Sequence, residues 1–138
     1  MDFITREKAQ EALKRGERVL FHYQGKSTEI TLDTDLNDLR NAFLTKLTLT
    51  IDDVVNGNYS ILRCHELKVL PQYFEPLVKR IKTFEIRKND RDFRVGDILV
   101  LKEFDPETNM YTGRIVERKV TYITNFAQQE GYVVMAIV

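Results

Sequence analysis

The stretch KTFEIRKNDRDFRVGDILVL, residues 82–101, decides how the second half of this chain folds. It begins with a strand in which Glu85 and Arg87 share one face, because successive side chains of a strand point to opposite sides. A charged turn, residues 88–92, leads to a second strand, whose apolar run is typical of a strand covered on both faces. An acid between two bases, beside a basic turn, indicates a ligand cleft.

Basic residues gather around this stretch in a chain whose formal net charge is zero. Seven basic and three acidic residues lie between positions 79 and 94, a local net charge of +4. A neutral chain has no global field that attracts nucleic acid, so any such role depends on this segment. The alternative is a solvated hairpin whose charges pair with one another.

The composition bounds the class of protein. With 138 residues, 43% hydrophobic and 30% charged, the chain fits one domain, or one domain with an extension. A single cysteine, Cys64, allows no internal disulfide. No apolar run is long enough to span a membrane, and the first ten residues lack the apolar stretch of a signal peptide. We therefore expect a cytoplasmic protein with no membrane contact.

The first part of the chain mixes helices with a hairpin. Residues 5–15 predict a helix with Thr5 as its N-cap and Gly16 after its end. A hairpin follows, and Asp35 is a candidate cap for a second helix. Leu47, Leu49 and Ile51 alternate with threonines, which predicts a half-buried strand, and residues 56–58 give a turn signal.

The second part has a different pattern, although no Pro/Ser/Gly-rich linker marks the boundary. We predict two parts, residues 1–62 and residues 63–138. The second contains a strand, a helix that starts near Pro71 and several further strands, which favours a small curled sheet or barrel with a helix at one opening. The chain is thus predicted to be α+β and mainly β, with an N-terminal helix-and-hairpin extension. Spacing predicts that its aromatic residues are mostly core: Tyr73, Phe74, Phe84, Phe93 and Phe104.

Metal binding is not expected. Cys64 and His65 are adjacent, so they point to opposite sides of a strand, and His22 is the other histidine. These three ligands have no paired spacing of the kind that zinc sites show. The glycines form no phosphate-binding loop, so no cofactor is expected.

Many short motifs of residues 65–123 resemble one family. The matching pieces are His65–Lys68, Pro71 with Tyr73-Phe74, Lys82–Arg87, Lys88–Arg91, Val95–Asp97, Asp105–Glu107 and Tyr111–Gly113. Together they resemble the phage- and bacteria-associated branch of the ASCH domains, which belong to the PUA-like superfamily. The resemblance implies a PUA-like β-barrel over about residues 65–138, with a cleft between its first helix and the strands. In similar domains that cleft is proposed to hold RNA or a modified nucleoside.

The resemblance and the charge pattern together give a set of candidate ligand-binding residues: Lys82, Glu85, Arg87, Lys88, Asn89, Arg91, His65, Lys68 and Tyr73. Arg87 and Lys82 suit a phosphate or a base edge, and Glu85 suits an exocyclic amine. Tyr73 or Tyr111 is the candidate to stack on a base. One departure from similar domains is Arg80, where glycine is usual two residues before the lysine, because glycine adopts backbone angles that arginine resists.

The same resemblance raises the question of catalysis. Some similar ASCH-type enzymes hydrolyse the amide of acetylated cytidine with a lysine, a threonine and a glutamate. Lys82 matches the lysine, but Glu85 stands at the threonine's position, and Thr83 is the nearest hydroxyl. The candidate catalytic set, if the chain is an enzyme, is Lys82, Thr83 and Glu85. We favour a non-catalytic module.

A second resemblance concerns the N-terminal part. Residues 11–21, EALKRGERVLF, are similar to the opening of short phage domains, some of which sequester immune signalling nucleotides. Three classes of function therefore remain: a module that binds RNA or a nucleotide, a phage protein that sequesters a signalling nucleotide, and an amidohydrolase.

Overall fold

The computed structural model describes residues 2–44 and 49–138. The chain forms two compact units, Met1–Leu62 and Arg63–Val138. Strands outnumber helices in the described residues, which confirms the α+β, mainly β class. None of the helices in the described residues has the length and apolar character needed to cross a membrane.

The first unit is a three-stranded sheet covered by helices. Its elements are α1 (Arg6–Lys14), β1 (Arg18–Tyr23), β2 (Lys26–Ile30), α2 (Leu36–Phe43), α3 (Ile51–Val55) and β3 (Asn58–Leu62). The strands are antiparallel in the order β2-β1-β3, which confirms the predicted hairpin. The core consists of Ala9, Ala12, Val19, Phe21, Leu39, Phe43, Leu49 and Tyr59.

Side-chain caps begin each of the helices described for this unit. The Thr5 hydroxyl accepts a hydrogen bond from the Lys8 backbone N–H, and Asp35 forms a capping box with Asp38, so both predicted caps are confirmed. Thr50 forms a second capping box with Asp53 and begins α3. The predicted strand over residues 47–51 is therefore wrong at Ile51, which is helical; Leu47 lies outside the described residues.

The second unit is a five-stranded sheet with one helix. Its elements are β4 (Cys64–Val69), α4 (Pro71–Val78), β5 (Phe84–Lys88), β6 (Ile98–Asp105), β7 (Met110–Thr124) and β8 (Tyr132–Ile137). The strand order is β4-β6-β7-β8-β5; the β4–β6 pair is parallel and the other pairs are antiparallel. The core consists of Leu67, Val69, Phe74, Leu77, Phe93, Leu99, Leu101, Val120, Val133, Met135 and Ile137.

The sheet of the second unit is open, with β4 and β5 as its edge strands. Two arginine side chains, one on β5 and one beyond its end, nevertheless reach the edge of β4. Arg87 Nη2 donates to the Lys68 carbonyl at 2.7 Å, and Arg91 Nη1 donates to the Glu66 carbonyl at 2.6 Å. The sheet is thus curled enough to bring its two edges within reach of an arginine side chain.

A tight turn after α4 sets the position of Lys82. The backbone N–H groups of Ile81 and Lys82 both donate to the Pro76 carbonyl, at 2.9 and 3.0 Å. Arg80 has a left-handed φ of 58° and its N–H bonds the Leu77 carbonyl. This is a Schellman motif, in which the left-handed position is usually glycine.

We expect Arg80→Gly to raise the free energy of unfolding of this unit by about 1 kcal/mol. A left-handed conformation costs a non-glycine residue roughly 1–2 kcal/mol, and the greater freedom of glycine in the unfolded chain offsets part of the gain. Burial lowers the pKa of Arg118, whose Nη2 donates to the Leu77 carbonyl, and the positive charge of Arg80 lowers this pKa further. The substitution therefore also removes a repulsion between like charges. Urea unfolding measures the gain; Lys79→Gly, at a right-handed position, is the control and should destabilise the unit.

Candidate functional site

A cleft of about 560 Å³ lies between the start of α4 and the edge strands β4 and β5. Its lining residues come from three short segments: Lys68, Val69, Leu70, Tyr73, Lys82, Phe84, Glu85, Ile86 and Arg87. Pro71 starts α4 directly after β4, which places Tyr73 on the first helical turn beside the strand. The turn that follows α4 then returns the chain to β5, and Lys82 at the end of this turn also lines the cleft.

The floor of the cleft is an ionic triad of Lys82, Glu85 and Arg87. Only 4% of the Glu85 side chain is exposed, against 18% for Lys82 and 27% for Arg87. Lys82 Nζ bonds Glu85 Oε1, and Arg87 Nε donates to Glu85 Oε2 at 2.9 Å. The predicted alternative, in which these charges pair with one another, is therefore realised, but around a buried carboxylate rather than in a solvated hairpin.

The triad keeps hydrogen-bonding capacity for a ligand. Two cations and one carboxylate leave a net charge of +1 at the floor. Lys82 also donates to the Phe84 carbonyl at 2.7 Å, and Arg87 to the Lys68 carbonyl. Because an ammonium has three N–H groups and a guanidinium has five, each cation retains donors beyond these bonds. The arrangement can bind an anion or an edge rich in acceptors.

Apolar side chains form the walls. Leu70, Tyr73, Phe84 and Ile86 are all exposed, although they are large and apolar or aromatic. The prediction that the aromatic set is mostly core is wrong: Phe74 and Phe93 are buried, but Tyr73 is 51% and Phe84 43% exposed. Phe84 is outward because the face of β5 that carries Glu85 points inward. An apolar cleft with a few convergent polar groups is the usual form of a site for a small organic ligand.

The structure brings together five of the nine predicted ligand-binding residues: Lys68, Tyr73, Lys82, Glu85 and Arg87. The other four do not line the cleft. Of these, Lys88 is exposed at the end of β5, and Asn89 accepts a hydrogen bond from the Phe93 backbone N–H at 2.9 Å. Arg91 bonds the Glu66 carbonyl as described above.

His65 belongs to a separate buried cluster rather than to the cleft. Its Nε2 shares a hydrogen bond of 2.8 Å with Asp97 Oδ2, and its ring packs edge-on against Phe93. Asp97 also accepts from the Arg94 backbone N–H at 2.9 Å and lies 3.6 Å from Arg63 Nη1. This cluster fixes the turn before β6 to the start of β4.

Four lining residues were not predicted as site residues: Val69, Leu70, Phe84 and Ile86. Pro71 predicts only that Leu70 is extended, as it is with φ −67° and ψ 150°, and not that its side chain lines a cleft. The other three carry no local signal, because apolar residues in a strand are ordinarily read as core.

The candidate catalytic hydroxyl is not at the floor. Thr83 is exposed and does not line the cleft, and its carbonyl accepts a hydrogen bond from the Ile137 backbone N–H at 3.0 Å. Lys82 instead bonds Glu85, three residues along the chain.

The described residues contain no group of three or more His, Cys, Asp or Glu side chains that could hold a metal ion. In the first unit, His22 Nε2 shares a hydrogen bond of 2.7 Å with Ser60 Oγ, and burial lowers the pKa of His22. Cys64 is exposed at the start of β4.

Residues 64–137 match a family model described as a domain of unknown function, DUF3850. The chain is also 35% identical over 74 residues to an Escherichia phage P2 protein described as "Uncharacterized 12.9 kDa protein in GpA 3'region". That match covers 53% of this chain and 66% of the phage protein, slightly less than two thirds of its length. The region that the family model matches, residues 64–137, contains every residue that lines the cleft. Because the family model spans more than half of the chain, the chain belongs to the DUF3850 family.

Proposed function

We propose that the second unit is an ASCH-type domain of the PUA-like superfamily that binds RNA or a nucleotide-type ligand in the cleft without catalysing a reaction. The observation that carries this proposal is the buried Glu85 held between Lys82 and Arg87 on the floor of an apolar cleft. A nucleobase has flat apolar faces and an edge of donors and acceptors, so it is complementary to both parts of such a site.

The position of the cleft also supports the proposal. It lies between the first helix of the unit and the edge strands, which is where the resemblance to ASCH domains implies a ligand cleft. The curl of the sheet, with β4 and β5 within reach of Arg87, is compatible with a PUA-like architecture. The phage P2 relative supports a phage or prophage origin for the protein.

The geometry favours binding over hydrolysis. An activated hydroxyl needs a base within about 2.6–3.2 Å, whereas Thr83 does not line the cleft and Lys82 donates to Glu85 and to the Phe84 carbonyl. We expect no release of acetate from acetylated cytidine. Release by the wild-type protein that Lys82→Ala abolishes would make the amidohydrolase the better assignment.

We expect Arg87→Ala and Lys82→Ala each to weaken ligand binding by about 1–3 kcal/mol, because each removes a charge-assisted hydrogen bond. Nuclear magnetic resonance titration with the four ribonucleoside 5'-monophosphates measures the effect, and β5 amide signals should shift with at least one of them. Arg87→Lys keeps the charge but loses the planar fork, so it should recover only part of the affinity.

Lys119→Ala, at an exposed lysine outside the cleft, is the matched control and should leave the affinity unchanged. Wild-type affinity in both cleft variants, with both folded, would remove this site from consideration.

A further inference from the structure

The cleft continues onto a patch on the outer face of the sheet, which we call the aromatic patch. It consists of Lys68, Lys102, Phe104 and Tyr111. Lys68 and Lys102 are directly paired between β4 and β6, and Phe104 and Tyr111 are paired between β6 and β7. Because alternate residues of a strand share a face, these four side chains lie on one side of the sheet.

Lys68 belongs to both the cleft and the aromatic patch. It lines the cleft, and its Nζ lies 4.4 Å from the centre of the Phe104 ring and 5.9 Å from that of Tyr111. The two rings meet edge to face at 5.3 Å, and Tyr111 is 50% exposed. A ligand that leaves the cleft past Lys68 therefore meets an exposed aromatic ring next.

The charges of the aromatic patch favour a phosphate at Lys68. In the described residues the aromatic patch pairs with one carboxylate, that of Glu66. Its Oε2 lies 3.0 Å from Lys102 Nζ and neutralises that cation. Lys68 forms no ion pair with a carboxylate of the described residues. A cation without a counter-ion, between a base-sized cleft and a ring, matches the phosphate–base alternation of a single strand.

We propose that the aromatic patch is a second nucleotide subsite, so that the ligand is single-stranded RNA rather than a free nucleoside or nucleotide. One base occupies the cleft, the next base stacks on Tyr111, and Lys68 contacts the phosphate between them. This inference rests on the proposed function of the cleft. It adds the requirement that the RNA ligand is longer than one nucleotide, which the cleft alone does not impose.

The test compares a ribonucleoside monophosphate with a mixed-sequence RNA octamer on the full chain. The octamer should bind about tenfold or more tightly to the wild-type protein, since stacking of a single base supplies a gain of this size. Tyr111→Ala should abolish the gain from length while leaving monophosphate affinity unchanged, and Tyr111→Phe should retain it. Lys68→Ala should reduce the slope of log affinity against log salt by about 0.7, the value for one phosphate contact on a single strand.

Tyr122→Ala is the matched control, because Tyr122 is an exposed tyrosine on β7 that pairs with β8 instead of β6. A monophosphate that binds at the cleft as tightly as the octamer would overturn the second subsite and leave the proposed function standing. An equal loss in Tyr111→Ala and Tyr122→Ala would also overturn the subsite. Octamer binding that Arg87→Ala does not affect would overturn both, and so would the absence of binding to either probe, which would leave the aromatic patch to a protein partner.

Discussion

Replacing Glu85 by glutamine should lower the free energy of unfolding of the second unit by about 3 kcal/mol. Breaking a buried ion pair by removing one partner costs roughly 3–5 kcal/mol, because the remaining charge stays buried without compensation. Glu85 compensates two cations, Lys82 and Arg87, whose side chains are both less than one third exposed. Hydrogen exchange of amides in β6 and β8 measures this loss separately from the stability of the first unit.

Two further variants test whether this loss of stability comes from the ionic triad. Lys82→Met removes one of the cations, so Glu85→Gln should cost less in that background than in the wild-type protein, as a double-mutant cycle will show. Glu75→Gln breaks the exposed pair of Glu75 with Arg114 and should cost no more than about 1 kcal/mol. Equal losses for Glu85→Gln and Glu75→Gln would mean that the triad has no special energetic role.

Gly57→Ala should destabilise the first unit by about 3 kcal/mol, at the upper end of the usual cost of overpacking. A Cβ at this position would lie 2.3 Å from the Asp53 carbonyl oxygen and 2.7 Å from Cε1 of Phe21. Phe21 is fully buried, so its ring has no free space to enter. Hydrogen exchange of amides in β1 and β3 measures the effect.

The matched comparison is Gly25→Ala in the hairpin turn of the same unit. Gly25 has a φ of +76°, but no atom lies within 4 Å of the position of its Cβ, so alanine there pays roughly 1–2 kcal/mol of conformational strain alone. Phe21→Leu should fail to rescue Gly57→Ala, because the Asp53 carbonyl remains in place. A smaller loss for Gly57→Ala than for Gly25→Ala would contradict this account.

Local signals predicted the elements that local chemistry controls. The caps Thr5 and Asp35 and the first hairpin were predicted correctly, because a cap or a turn is satisfied by atoms within three or four residues. The helix at Ile51 was missed for a related reason: the alternating pattern of leucine, isoleucine and threonine was read as a strand, although Thr50 and Asp53 also form a capping box. Two local signals competed, and the cap prevailed.

The orientation of β5 could not be predicted from its sequence. The period of two assigns Glu85 and Arg87 to one face and Phe84 and Ile86 to the other, but it does not say which face is buried. Apolar residues would normally be assigned to the core. Here the charged face is inward because Glu85 is compensated on both sides and Arg87 reaches Lys68, 19 positions earlier in the chain. A contact at that separation leaves no mark on a local pattern.

The candidate site was predicted in part for the same reasons. Lys82, Glu85 and Arg87 are grouped in sequence, and the structure keeps them together. Lys88, Asn89 and Arg91 follow directly and were included for their charge and polarity, yet none of them lines the cleft: Lys88 is exposed at the end of β5, and Asn89 and Arg91 lie beyond it. Sequence proximity is a good guide to a site within one strand and a poor guide across a turn.

The hydrogen bonds from Arg87 of β5 and from Arg91 beyond it to β4 have a consequence for the behaviour of the protein in concentrated solution. Carbonyls two residues apart point to the same side of a strand, so Glu66 and Lys68 present theirs along the open edge of β4. An uncovered edge of this kind is a template on which a strand from another molecule can form. Arg87 and Arg91 occupy both acceptors, so an incoming strand has to displace two charge-assisted hydrogen bonds before it gains its first. Arg87, which lines the cleft, and Arg91, which does not, therefore both protect the edge of β4 against edge-to-edge aggregation.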